Sequence, residues 1–199
     1  QGFTVHQVTD AVVRPMGVFV ADVDRDGDLD VLSAAASGGK LDWFAQNATP
    51  TLAALDDLTI DEDADQQAVE FMGVTAGGGE DQPLAVTVSS DNTALIADPA
   101  VSYTTADETG SLTFTPVLDQ SGTAVITVTV EDGGLDEDLD TPGDNRTVNQ
   151  TFRVTVNAVN DAPTLAALDD LTIDEDADQQ TVDLVGITAG GGEDQPLAV

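Results

Sequence analysis

The stretch Thr51-Leu-Ala-Ala-Leu-Asp-Asp-Leu-Thr-Ile-Asp-Glu-Asp-Ala-Asp-Gln-Gln67 returns letter for letter at residues 164–180. Gly77-Gly-Gly-Glu-Asp-Gln-Pro-Leu-Ala-Val86 recurs in the same way as residues 190–199. The offset is constant at about 113 residues, the size of a small β domain and far longer than a solenoid repeat. The chain thus holds one full copy of a module and the front part of a second. The second copy stops part-way, as expected of a stretch taken from a longer tandem array.

Between the identical runs the substitutions keep a phase. Glu70 is matched by Asp183, Phe71 by Leu184, Met72 by Val185 and Val74 by Ile187. At these four positions polar stays polar and apolar stays apolar, as the two faces of a strand require. Over residues 49–161 the pattern predicts strands at 58–60, around 69–71, and at 84–89, 100–104, 111–115, 124–131 and 147–157. Ile126, Val128 and Val130 alternate with Val125, Thr127 and Thr129; Phe152, Val154 and Val156 alternate with Thr151, Arg153 and Thr155. About seven short strands separated by turn signals predict an all-β, immunoglobulin-like sandwich. Composition agrees: hydrophobic residues make up 41 % but aromatics only 4 %, so the core must be built from Val, Leu, Ile and Ala.

Residues 1–48 read differently. Short strands at 3–8, 17–23, 29–35 and 40–45 match one blade of a propeller, which needs neighbours to cover both faces. The expected domains are therefore 1–48, a blade; 49–161, a complete sandwich; and 162–199, the start of a second. The link at 157–161 is too short to be a flexible tether, so neighbouring modules should sit end to end, nearly in contact.

The charge is extreme, 38 acidic residues against 5 basic ones, net −33. No basic face can form for nucleic acid or an anionic membrane. The acidity suits a solvated surface, carboxylates gathered around divalent cations, or both. Cysteine is absent, which excludes thiol catalysis, thiolate metal sites and disulfides. No apolar run is long enough to span a bilayer, and no leader pattern is present, so any signal or anchor is expected elsewhere. The single histidine, His6, lies in a strand-like run, and no Gly-x-Ser-x-Gly elbow occurs. With one Trp and one Tyr, a carbohydrate cleft flanked by a carboxylate pair is not expected either. The chain reads as a non-enzyme. Asn47, Asn145 and Asn149 begin Asn-x-Thr sequons.

The sharpest motif is Asp22-Val-Asp24-Arg-Asp26-Gly27-Asp28-Leu-Asp30. Side-chain oxygens at alternate positions converge if the chain curls around one cation, and Gly27 permits the turn. An EF-hand would need Glu where this chain has Ser33, and helices where the flanks read as strands. The expectation is a Ca2+ loop between strands, with Asp22, Asp24, Asp26, Asp28 and Asp30 as ligands. The segment resembles the FG-GAP/VCBS repeat of integrin-type propellers, and Lys40-Leu-Asp-Trp43-Phe44 fits the third strand of such a blade.

The module from residue 49 onward resembles cadherin-like, immunoglobulin-fold repeats of large bacterial surface adhesins. Leu58-Thr-Ile-Asp-Glu62-Asp looks like their first strand with its glutamate. Ala76-Gly-Gly-Gly-Glu80-Asp81 stands in the place of their Asp-x-Asp loop, and Leu118-Asp119-Gln-Ser-Gly122 in that of Asp-Arg-Glu. Val130-Glu-Asp132-Gly-Gly134 resembles their Asp-Gly segment, and Val159-Asn160-Asp161-Ala-Pro163 their linker. The resemblance implies Ca2+ at the joint near residue 161, held by Glu62, Asp119, Asn160 and Asp161 with Glu193 and Asp194 from the next copy. The first joint departs from it, reading Gln46-Asn-Ala-Thr-Pro50, so the cation is expected at 161 rather than at 48. The acidic run 61–65 also reads as a solvated edge that discourages strand pairing.

Together these features predict a segment of a secreted or cell-surface, calcium-stabilised protein acting as adhesin, stalk or extracellular fibre. Its expected partners are neighbouring repeats of the same or like chains, and a cell-surface or glycan ligand. Two other roles fit the same pattern: a non-catalytic spacer of a secreted hydrolase, and a filament subunit assembled by strand complementation.

Overall fold

The computed structural model describes residues 3–7, 13–23, 25, 29–37 and 41–198. All of its regular elements are strands. Strands β1 (Phe3–Gln7), β2 (Val13–Ala21), β3 (Asp30–Ser37) and β4 (Leu41–Gln46) form one antiparallel sheet in the order β1-β4-β3-β2. Strand β2 runs through Arg14-Pro15, where the sequence suggested a break. Pro15 has no N–H to give, but β2 is an edge strand, and its pairing with β3 slips between Pro15 and Gly17. Val18, Phe19 and Val20 on this edge are exposed.

The next seven strands build the sandwich. They are β5 (Leu58–Asp61), β6 (Gln67–Met72), β7 (Leu84–Ser90), β8 (Ala100–Ser102), β9 (Thr109–Phe114), β10 (Gly122–Asp132) and β11 (Thr147–Asn157). One sheet has the order β5-β11-β10-β7 and the other β6-β9-β8. Two facing sheets of four and three strands, with connections that cross from sheet to sheet, are the immunoglobulin-like arrangement. The inward residues follow from the period of two. Ala124, Ile126, Val128 and Val130 of β10 and Phe152, Val154 and Val156 of β11 are buried against Phe71, Leu112 and Phe114 of the other sheet. Strand β9 carries Gly110 beneath the Phe71 ring, because a Cβ there would lie 2.7 Å from Phe71 Cε2.

The segment before β6 changes sheets. Its first part pairs with the second sheet: Thr51 N–H donates to Thr75 O at 2.9 Å and Ala53 N–H to Met72 O at 2.9 Å. Its second part, β5, lies parallel to β11, with Leu58 opposite Val154 and Asp61 opposite Asn157. Arg153 N–H donates to Asp57 Oδ1 at 2.7 Å and fixes where the switch occurs.

The second copy repeats part of this arrangement. Its local contacts repeat: Thr164 N–H donates to Thr188 O at 3.0 Å, Ala166 N–H to Val185 O at 3.0 Å, and Thr164 Oγ1 to Gly186 O at 2.9 Å. Yet residues 171–174 and 180–185, identical or similar to β5 and β6, are not strands. Their sequence preference is unchanged; the partners that correspond to β9 and β11 are not in the sequence. Leu52 is 6 % exposed and its twin Leu165 55 %; Ile60 is 9 % exposed and its twin Ile173 57 %.

This contrast predicts a paired outcome. In chemical denaturation of the 199-residue chain, Ile60→Ala should cost about 2–4 kcal/mol, the usual range for emptying a buried site. Ile173→Ala, the same change in the same local sequence, should stay within about 0.5 kcal/mol.

Candidate metal centre

The parallel pairing of β5 with β11 delivers an acidic turn to the far end of the sandwich. Past Asp61 the chain turns, with Glu62 N–H donating to Asn157 O at 3.0 Å and Ala64 N–H to Asp61 O at 3.1 Å. Glu62 is buried, and its Oε1 accepts Val159 N–H at 2.7 Å, which ties the linker to the module. Asp63 is left exposed at the tip of the turn. Asp119 sits in the turn before β10 with φ 57°, a left-handed conformation that Asp tolerates better than most residues.

The linker brings the last carboxylate. Asp161 N–H donates to Glu193 Oε2 at 3.3 Å, and Gln195 Nε2 donates to the same oxygen at 2.6 Å. The loop carrying Glu193 can lie this close because Gly190 and Gly191 take positive φ and lack Cβ atoms. A Cβ on Gly191 would overlap Asp161 Oδ2 and lie 3.3 Å from Asp119 Oδ1. Carboxylate oxygens of Asp63, Asp119 and Asp161 all lie within 4.8 Å of one another. Asp161 Oδ2 is buried and has no hydrogen-bond partner among the described residues. Burial, then the charges of Asp63, Asp119, Glu193 and Glu62, push the Asp161 carboxyl above its ordinary value. A set of hard carboxylate oxygens without nitrogen or sulfur is the chemistry of Ca2+ or Mg2+ rather than of zinc or copper.

Of the residues expected at this joint, Asp119 and Asp161 lie together with Asp63, Glu62 holds the Val159 N–H beside them, and Glu193 holds the Asp161 N–H. Asn160 is exposed, with its amide nitrogen donating to Asp161 O at 2.9 Å. Asp194 is exposed. Asp63 was not singled out from sequence, because it lies in a run that also reads as a solvated edge. Its signal is position, one residue past the glutamate that closes β5.

The Asp-rich loop is described only in part. Asp22 is exposed. Asp30 is fully buried, and both its oxygens are engaged: Oδ2 accepts Val23 N–H at 2.8 Å and Oδ1 accepts Gln46 N–H at 3.3 Å. Asp30 therefore fastens the loop to β4. Asp24, Asp26, Gly27 and Asp28 lie outside the described residues. Of the three sequons, Asn47 is buried, Asn145 half-buried and Asn149 exposed on β11.

No family model matches the chain, and no curated protein matches it significantly. Among solved structures it is similar to a chimeric titin Z1Z2 functionalized with a KLER exogenous peptide from decorin. That likeness has 17 % identity and a TM-score of 0.35, covering 57 % of this chain and 100 % of that one. It is also similar to domains 4 and 5 of the S-layer protein SbsC, at 14 % identity and a TM-score of 0.32, covering 77 % of each chain. At this degree of superposition neither likeness bears on function. No helix among the described residues is long and apolar enough to cross a membrane.

The raised Asp161 carboxyl sets a pH dependence. The folded joint binds a proton that the unfolded chain releases, so in calcium-free buffer the joint loses stability as pH rises from the ordinary carboxylate range through the raised value. A carbon-13 titration should place the Asp161 midpoint above the ordinary aspartate value. A midpoint at or below that value would show that the carboxylates do not converge in solution.

Proposed function

We propose that the chain is a segment of an extracellular, non-enzymatic, multi-domain protein. In this reading its sandwiches are joined end to end by Ca2+, and it serves as a stalk, fibre or adhesin. The observation that carries the proposal is the meeting of Asp63, Asp119 and Asp161 within 4.8 Å. They come from three separate segments: the turn after β5, the turn before β10, and the linker. Glu193 of the next copy lies against the linker residue. Carboxylates gathered this way repel one another, and a divalent cation turns the repulsion into a bond between modules.

The cation would be held by Asp63, Asp119 and Asp161, with Glu62 and Glu193 adding negative charge. Ca2+ supplies two positive charges and tolerates irregular oxygen geometry, which suits ligands from flexible turns. Sites of this kind in extracellular modules bind at about 0.1–1 mM, so they fill outside cells and empty inside them. The linker is already short and pinned by Glu62, and a bound cation would remove its remaining hinge freedom. The net charge of −33 keeps the bodies of such rods apart while the joints are closed by cations.

Calcium-dependent stability is the direct test. Saturating Ca2+ at about a hundred times its dissociation constant should stabilise the chain by about 2.7 kcal/mol over the same chain in excess chelator. Asp119→Asn and Asp161→Ala should each remove most of that difference while leaving the chelated melting temperature unchanged or higher. A melting curve and a scattering profile that ignore both calcium and chelator would end this reading.

A further inference from the structure

The near end of the sandwich repeats this joint with different chemistry. Residue 48, the counterpart of Asp161, is alanine, and Asn47 is the counterpart of Asn160. The frame around them is the same. Glu80 accepts Ala48 N–H at 3.3 and 3.2 Å, as Glu193 accepts Asp161 N–H. Gln82 Nε2 donates to Glu80 Oε2 at 2.8 Å, as Gln195 does to Glu193.

What fills the frame differs. Asn47 is 1 % exposed. Its Nδ2 donates to Asp132 Oδ1 at 3.1 Å and to Asp144 O at 2.8 Å, and its Oδ1 accepts Gln82 Nε2 at 2.8 Å. Asp132 is fully buried, and the same Oδ1 also accepts Gly134 N–H at 3.0 Å and Arg146 N–H at 2.8 Å. Its Oδ2 has no hydrogen-bond partner among the described residues. Three donors on one oxygen go far to offset the desolvation of the carboxylate. On the other side, Gln46 N–H is held by Asp30, so the residue before Asn47 belongs firmly to the N-terminal sheet. Arg146 reaches across to Thr49 Oγ1 at 3.3 Å, which adds a positive side chain to this end.

We infer that the first joint is a metal-independent lock. Asn47 is its positioning residue, and its amide hydrogens bridge oxygens in the way the proposed cation bridges carboxylates at the second joint. The contrast rests on the calcium reading; the lock itself rests on the Asn47 hydrogen bonds. The chain then carries one fixed joint, between the N-terminal sheet and the sandwich, and one joint whose stiffness follows the calcium level.

Amide hydrogen exchange on the 199-residue chain separates the two. Gly134 and Arg146 report on the first joint, Asp161 on the second, and Val128 in the core on global unfolding. Excess EGTA should leave Gly134 and Arg146 unchanged in the wild type. Asn47→Ala should speed their exchange about tenfold or more, with Val128 and Asp161 unaffected, since a buried acceptor has lost its donor. Asn47→Asp sets a second carboxylate against Asp132, so its Gly134 and Arg146 amides should exchange fast in EGTA and slow again in millimolar calcium. The inference is overturned if EGTA alone frees Gly134 and Arg146 as much as Asn47→Ala does, or if Asn47→Ala changes neither. The Asp161 amide with and without EGTA reports on the calcium reading separately.

Discussion

The parallel pairing of β5 on β11 is the interaction on which the rest of the molecule depends. It adds four residues to one sheet edge, and those residues close the core with Ile60. The same pairing ends at Asn157, whose carbonyl turns the chain at Glu62, and Glu62 in turn holds Val159. A contact in the sheet is thus carried through two hydrogen bonds into the linker. In the second copy the Thr164–Thr188 bridge repeats the Thr51–Thr75 bridge of the first.

Much of this fold was legible. The inward phase of β10 and β11 could be read residue by residue, because a strand with one buried face must alternate. The strands of the N-terminal sheet were legible too, apart from Pro15, where tolerance depends on β2 being an edge, a fact of topology rather than of sequence. What could not be read was the partner of β5. A short segment records that it is extended, not which sheet it joins. Its choice of β11 rests on long-range contacts such as Arg153 N–H to Asp57.

The acidic joint was legible only in part, for a related reason. Glu62, Asp119 and Asp161 stood out through phrases that resemble known repeats. Asp63 did not, since an exposed aspartate in an acidic run has no pattern that separates ligand from solvated charge. Asp132 had a signal that strand phase alone provides: it continues the buried series Ala124, Ile126, Val128 and Val130, so an inward carboxylate had to find donors. Asn47 is the opposite case. It begins a sequon, a surface mark, and only the closure of Gln82, Asp132 and Asp144 around it reveals a buried amide.

The two ends of the sandwich face one physical problem, which is how to pack oxygen atoms between bodies that each carry excess negative charge. At the first joint an amide meets it with directional hydrogens at fixed positions. In the proposed calcium reading, the carboxylates at the second joint leave the problem open until a cation arrives. The two linkers share a frame in which Glu80 and Glu193 each hold a backbone N–H in the same way, and they differ at Ala48 against Asp161. If the proposed calcium joint holds, a tandem chain built from near-identical modules sets the stiffness of each joint through its linker residues.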